Sequence, residues 1–485
     1  MLFRLLLTAL LLTPPTRPPA PIHLEAEDAR LTGATVQTAR AGFSGRGYVA
    51  GLTKDGDKLE WMVQGVRAGL YEARLRYASP AGDKGTQLVV NGASTETMLP
   101  QSAAFSVAPL GKIELRDGTN TLAIAKGWGY YDVDALDLTP ALPFAPLPKP
   151  PHVPVDSKAT AQTRALLRLL VGAYGEKTLS GQYDEADTNS VVQATGVTPA
   201  IRGGDLMDYS PSRLAKGARP DGTTDNLLAA AKAGQIITLS WHWNAPSGLI
   251  DATYKTANGK TVEAPWWRGF YTDATTFDLA KALADPQSSD YRLLLSDMDA
   301  IAVQLKKFSD AGVPVLWRPL HEAQGRWFWW GAKGPDAYKT LWRLMFDRFT
   351  RVHGLHNLLW VESSGGDARW YPGDDVVDVV GVDCYPPDAS DPLSSTWDKL
   401  AATYGNRKLL ALTEFGRVPD ADKMARFGVK WSYFVSWTGD LGPRAMARDE
   451  LKMRYWSRQL AHRDDLAALS VRPLTPPTPV ARGSR

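Results

Sequence analysis

Residues 313–322 read VPVLWRPLHE, an apolar run that ends on an imidazole and a carboxylate, His321 and Glu322. A short, mostly apolar stretch of this kind suits a strand buried on both faces, as in a parallel sheet. The same rhythm recurs on both sides of it. Eight such runs are readable: Thr178–Gln182, Pro199–Gly203, Ile236–Trp243, Val313–Glu322, Leu358–Glu362, Val377–Tyr385, Leu409–Glu414 and Tyr433–Trp437. Between them lie longer amphipathic stretches such as Ala337–Val352 (AYKTLWRLMFDRFTRV), which predict helices. Eight strands alternating with helices predict an α/β fold, a (β/α)8 TIM barrel with its site at the C-terminal strand ends. The gap from Trp243 to Val313 is longer than the rest and holds Trp266-Trp267, so a structured insertion on the active-site face is expected there.

The strand ends carry the chemistry. The third run ends in WHW (Trp241 to Trp243), the fourth in WRPLHE (Trp317 to Glu322) and the sixth in GVDCY (Gly381 to Tyr385). The seventh ends in LTEFG (Leu412 to Gly416) and the eighth in Ser436-Trp437. Glu322 and Glu414 therefore close strands four and seven, across the barrel mouth from each other. A carboxylate pair flanking a cleft suits acetal hydrolysis, where one protonates the leaving oxygen and the other attacks or stabilises the anomeric carbon. Flat aromatic rings suit the C–H faces of sugars. Of the 17 Trp, 15 lie after residue 240. A single Glu at a strand end is more often a solvated or paired carboxylate; two, beside His321, Tyr385 and Trp437, are harder to explain so. The run Trp327–Trp330 (WFWW) has neither helical nor strand periodicity, which argues against core packing alone. Zinc hydrolysis through His242, His321 and a carboxylate lacks the HExxH spacing, since Glu322 is followed by Ala-Gln-Gly. Cys384, the only cysteine, reads as a buried small side chain and excludes a disulfide framework.

The amino-terminal part has a different texture. Short alternating segments such as LYEARLRY (Leu70–Tyr77) are separated by Asn91-Gly92 and Asp117-Gly118 turns, which predicts an antiparallel β-sandwich. Residues 141–155, ALPFAPLPKPPHVPV, hold six prolines in fifteen positions and read as a semi-rigid spacer. The first twenty residues combine a basic start with the apolar run LLLTALLL, the pattern of an export signal and too short to span a bilayer. The division expected is a signal at 1–20, a β-sandwich module at 21–140, a linker at 141–155, the barrel at 156–470 and a Pro-rich tail at 471–485. A net charge of +3, from 55 Lys+Arg against 52 Asp+Glu without blocks of either sign, gives no reason to expect nucleic acid or a membrane as partner. A secreted monomer is expected.

WRPLHEAQGRWFWWG (Trp317 to Gly331), with LSWHW, VVGVDCY, LTEFG and YFVSWTGD, closely resembles glycoside hydrolase family 26, dominated by endo-β-1,4-mannanases. The resemblance covers about residues 157–465. It implies a retaining hydrolase in which Glu322 is the acid/base and Glu414 the nucleophile. It also implies that His321 bonds within the glycone subsite, Tyr385 orients Glu414, and His242 and Trp437 line the subsite of the reacting sugar. Trp327 would be the platform on the leaving-group side, with Arg318 and Asp383 in support. No catalytic cofactor is implied. Mannan, glucomannan or galactomannan is the expected substrate. A lichenase, a β-1,3-xylanase and a non-catalytic polysaccharide-binding protein remain alternatives.

EAEDARLTGA (Glu25 to Ala34) and WGYYDVDALDLTP (Trp128 to Pro140) resemble the two ends of carbohydrate-binding module family 35. That resemblance implies a structural calcium, for which Glu25, Glu27 and Asp137 are the expected ligands, and a sugar-binding face including Trp128, Tyr130, Tyr131 or Asp132.

Overall fold

The computed structural model describes residues 20–220 and 222–470; the expected export signal, apart from Ala20, and the expected tail lie outside them. The chain separates into two units, divided between Phe144 and Ala145.

The amino-terminal unit stacks two antiparallel sheets. One has the order Thr35–Gln37, Tyr48–Ala50, Asp132–Pro140, Gly69–Ser79, Ser102–Leu115, with Ile22–Glu25 also pairing along Asp132–Pro140. The other runs Arg30–Thr32, Lys58–Val66, Gly118–Lys126, Lys84–Val90, Ala93–Leu99. Alternate residues turn inward, so Leu59, Trp61, Leu75, Tyr77, Leu88, Leu122, Ile124, Leu136 and Leu138 form one buried core between the sheets. The predicted sandwich is present.

In the second unit all eight predicted strands form, most with ends shifted by a few residues from the runs read in the sequence, and close into a parallel barrel: Gly181–Tyr183, Ile201–Asp205, Ile236–Ser240, Val315–Arg318, Leu358–Glu362, Val379–Cys384, Leu409–Phe415 and Phe434–Ser436. Gln182 pairs with Ser436 to join the first strand to the eighth. The helix read at Ala337–Val352 runs from Pro335 to Asp347 and ends in a wider turn, Arg348–Val352. It buries Tyr338, Leu341, Trp342 and Met345, the one-face spacing of an amphipathic helix, and Pro335 suits its first turn. The long gap holds a hairpin, Ala252–Lys255 with Thr261–Ala264, before the helix Ser289–Asp310. Among the described residues no helix is long and apolar enough to cross a membrane.

Candidate active site

The end of strand four is built to present two side chains at once. Leu320 and Glu322 both adopt φ +53°, a left-handed conformation that costs a non-glycine residue free energy. The surroundings hold it in place. The Glu322 amide donates to the Ser363 carbonyl (2.9 Å), and the Trp330 indole donates to the His321 carbonyl (2.8 Å). His321 and Glu322 thus both face the barrel mouth rather than alternating across the sheet.

Arg318, wholly buried, is the hub beneath them. Its guanidinium donates to Glu414 Oε1, to Asp383 Oδ2 (2.9 Å) and to the Tyr183 hydroxyl (3.1 Å). Burial opposes its charge, but Asp383, Tyr183 and Glu414 outweigh burial and hold it protonated. The Tyr385 hydroxyl donates to the other Glu414 oxygen, Oε2, at 2.7 Å. Glu322, Asp383 and Glu414 each bring a carboxylate oxygen to within 4.8 Å of the others. Glu322 is pushed up from the usual carboxylate range by burial and then by the Glu414 charge, against the pull of Arg318 and the Trp327 N–H. One carboxylate of the pair thus favours its proton while its neighbour is held by a cation and a phenol.

The rest of the mouth is aromatic and imidazole. His242, two residues past strand three, stands 4.4 Å from His321, 5.6 Å from Phe328 and 6.2 Å from Trp437 between ring centroids. Trp437, half-buried, meets Tyr183 edge-on at 5.0 Å. Within the Trp327–Trp330 run only Trp327 is exposed, at 44%; Phe328, Trp329 and Trp330 are buried. The run is therefore mainly a core layer with one exposed ring. Cys384 is half-buried rather than buried. His242 and His321 face each other through Nε2 at 3.1 Å while His242 Nδ1 is taken by Asp205, which leaves His242 no nitrogen for a shared zinc.

All seven barrel residues expected from the sequence, His242, His321, Glu322, Trp327, Tyr385, Glu414 and Trp437, come together here. Tyr183 and Asp205, from strands one and two, belong to the same constellation and were missed. In the sequence they stand only as the ends of GQY and RGGD, just past the runs read as strands and without a distinguishing spacing.

In the sandwich the outcome is mixed. Trp128 and Tyr130 are 60% and 62% exposed. Tyr131 is 1% exposed and bonds Thr86 and the Ala125 carbonyl, so it fills the core and is not available to a ligand. Asp132 is ion-paired with Arg40 at 2.9 Å. Asp137 does not join Glu25 and Glu27; it is paired with His23 at 2.6 Å and half-exposed. Its place is taken by Asp134, fully buried and also paired with Arg76. Ser44 Oγ bridges Glu25 Oε2 (2.8 Å) and Asp134 Oδ2 (3.0 Å). Gly45, at φ +61°, has no Cβ to collide with the Glu27 carboxylate, and Glu27 Oε2 is buried without a partner. The orphaned Glu27 oxygen, near Glu25 and Asp134, is a donor of the kind a hard cation such as Ca²⁺ takes, and these three carboxylates are the residues that would hold one.

Residues 155–464 match the model of glycosyl hydrolase family 26. The chain belongs to that family. Residues 22–141 match carbohydrate binding module family 35. This family 26 glycoside hydrolase is 44% identical, over 85% of its own length and 83% of the relative's, to a mannan endo-1,4-beta-mannosidase of Thermothelomyces thermophilus. It is 30% identical to mannan endo-1,4-beta-mannosidase A of a Piromyces species, over 93% of this chain and 73% of that one. Among solved structures it is similar to the Podospora anserina GH26-CBM35 beta-(1,4)-mannanase, at 40% identity and a TM-score of 0.65, covering 93% of this chain and 99% of that one.

Proposed function

We propose that this family 26 hydrolase is a secreted, retaining endo-β-1,4-mannanase whose amino-terminal module, stabilised by calcium, holds it on mannan-type polysaccharide. The observation that carries the mechanism is the Glu322–Glu414 pair, with carboxylate oxygens within 4.8 Å. So close an approach of the two carboxylates supports the retaining arrangement, with carboxyls about 5–5.5 Å apart, over the inverting one at about 6.5–9.5 Å.

Glu322, holding its proton, gives it to the glycosidic oxygen as the C–O bond breaks. Glu414 attacks the anomeric carbon from the other face, its position fixed by Arg318 on Oε1 and Tyr385 on Oε2. In the resulting ester the Glu414 charge is gone, so the repulsion that raised Glu322 is relieved and Glu322 becomes a stronger acid. Its carboxylate then takes a proton from the water that attacks the anomeric carbon, which frees Glu414 and returns the proton to Glu322. The exposed ring of Trp327 offers a leaving-group sugar a stacking face, and Trp437 offers one to the reacting sugar.

The mannan assignment rests on the named relatives. It is tested by assaying the full chain side by side on β-1,4-mannan, glucomannan, galactomannan, lichenan and β-1,3-xylan. Release of mixed-length manno-oligosaccharides from the first three is expected; cleavage of only lichenan or xylan, or of none, would refute it. Bound at Glu25, Glu27 and Asp134, Ca²⁺ would supply charge that lets these carboxylates share one buried position.

A further inference from the structure

The histidine pair at the barrel mouth continues into a third residue. Asp205, at the end of strand two, accepts the His242 backbone N–H at Oδ1 (3.1 Å), and at Oδ2 the Ser240 hydroxyl (2.7 Å) and His242 Nδ1 (2.6 Å). His242 Nε2 then meets His321 Nε2 at 3.1 Å. The chain of contacts ends at His321 Nδ1, which is buried and has no partner among the described residues. We propose that Asp205 is a positioning residue: acting through His242, it sets which ring nitrogen of His321 carries the proton, and so makes His321 Nδ1 a donor toward the bound sugar.

The hydrogen-bond inventory leads there. A carboxylate can only accept, so His242 Nδ1 must be the donor to Asp205. Two facing Nε2 atoms at 3.1 Å need one proton between them. If it sits on His242, that ring is a cation, His321 is neutral, and the His321 proton must be on Nδ1. If it sits on His321 Nε2, then Nδ1 is bare and can only accept.

The charges around the pair select the first arrangement. His242 is lowered by burial and by Arg318 on strand four, but the charge and hydrogen bond of Asp205 on strand two, with the Glu414 charge on strand seven, together raise it above its ordinary value. Asp205 would be raised by burial, yet the His242 charge and the bonds from His242 and Ser240 bring it down to about 2. His321 is driven well below its ordinary value by burial and by the charges of Arg318 and His242. Glu322 also feels the His242 charge, which lowers it. The aromatic neighbours, Phe270, Phe328, Trp330 and Trp437, are uncharged. A sugar hydroxyl that gives its proton to a carboxylate such as Glu414 lacks a donor, and this arrangement supplies one.

The inference rests on reading this cleft as a glycosidase site, but its first test needs no substrate. The full chain with ¹⁵N-labelled histidine rings is titrated by NMR, and the two signals are assigned by their loss in His242→Gln and His321→Gln. His321 should stay neutral with its proton on Nδ1, and His242 should keep both protons past its ordinary value of 6.5. In Asp205→Asn, His242 should lose its second proton at lower pH and the His321 proton should move to Nε2. The kcat/KM of that variant on a manno-oligosaccharide should fall by about tenfold or more on the alkaline side of the profile and recover toward wild type as pH falls and the cation returns. Asp205→Glu should restore part of the loss. Wild-type spectra with the His321 proton on Nε2, or with His242 titrating at or below 6.5, would overturn the proposal even if Asp205→Asn fails to fold. A loss equal at every pH would also overturn it. Expected spectra from a chain that cleaves no mannan would refute the substrate reading alone.

Discussion

Trp327 Nε1 donates to Glu322 Oε2 at 2.9 Å while almost half of the Trp327 ring remains open to solvent. The exposed ring and the acidic carboxyl are therefore one unit, and the indole N–H favours the ionised form of Glu322. Replacing Trp327 by Phe keeps a ring and removes the donor. The Glu322 pKa should rise further, and because the proposed general acid must hold its proton, the alkaline limb of kcat/KM should move to higher pH. Trp327→Ala should in addition raise KM, since a stacking face serves ground and transition states alike. pH profiles of both variants check this; an alkaline limb that moves down in the Phe variant would contradict it.

Arg318 is the only cation bonded to Glu414 and Asp383 among the described residues, and it has no exposure. Arg318→Met should destabilise the barrel by about 3–5 kcal/mol, the usual cost of stranding a buried charge. The loss should depend on pH. Burial already raises Asp383 well above 3.8 against the opposing pull of Arg318, so the variant's folded form should hold that proton still more tightly than the unfolded chain. A folded state that binds more protons loses stability as pH rises, so the deficit should grow with rising pH. Denaturant unfolding across a range of pH measures it.

Calcium removal gives a third expectation. A cation that binds only the folded module stabilises it by about 2.7 kcal/mol at a hundredfold excess over Kd. Chelation of the full chain should therefore lower the melting transition of the module and leave hydrolysis of a short oligosaccharide unchanged. Glu27→Gln and Asp134→Asn should lose the chelator sensitivity, and Asp137→Asn should keep it. Calorimetry with and without chelator separates these outcomes.

The barrel was readable because buried parallel strands are written as largely apolar runs, and most of the runs here end in a polar or aromatic residue at the barrel mouth. Glu322 and Glu414 were legible for that reason. Tyr183 and Asp205 were not, since a Tyr or an Asp at a strand end has no distinguishing spacing and only the closed barrel brings them beside Arg318 and His242. In the sandwich the resemblance pointed to Asp137, and Asp134 stands nearer Glu25 through Ser44. The ladder between the last strand and Gly69–Ser79 shifts register between Val133 and Ala135, which places Asp134 at a bulge that no sequence pattern marks. Two residues before that last strand, Tyr130 takes φ +63°; its ring is exposed while that of its neighbour Tyr131 is in the core.

That last contrast predicts different behaviour for adjacent tyrosines. Trp128→Ala and Tyr130→Ala should weaken retention of the full chain on insoluble mannan by several-fold, without changing its melting or its turnover of soluble oligosaccharides. Tyr131→Ala should lower stability by about 3–5 kcal/mol as a buried aromatic. Affinity electrophoresis and thermal melts read the two effects separately.

The account stands most directly on the stereochemistry of a single turnover. A manno-oligosaccharide is mixed with the enzyme, and the anomeric proton of the newly formed reducing end is followed by ¹H NMR before mutarotation equilibrates it. Two displacements at the anomeric carbon, by Glu414 and then by the water activated by Glu322, must deliver the β-anomer first. The α-anomer appearing first would mean a single displacement and would contradict the roles assigned to both glutamates.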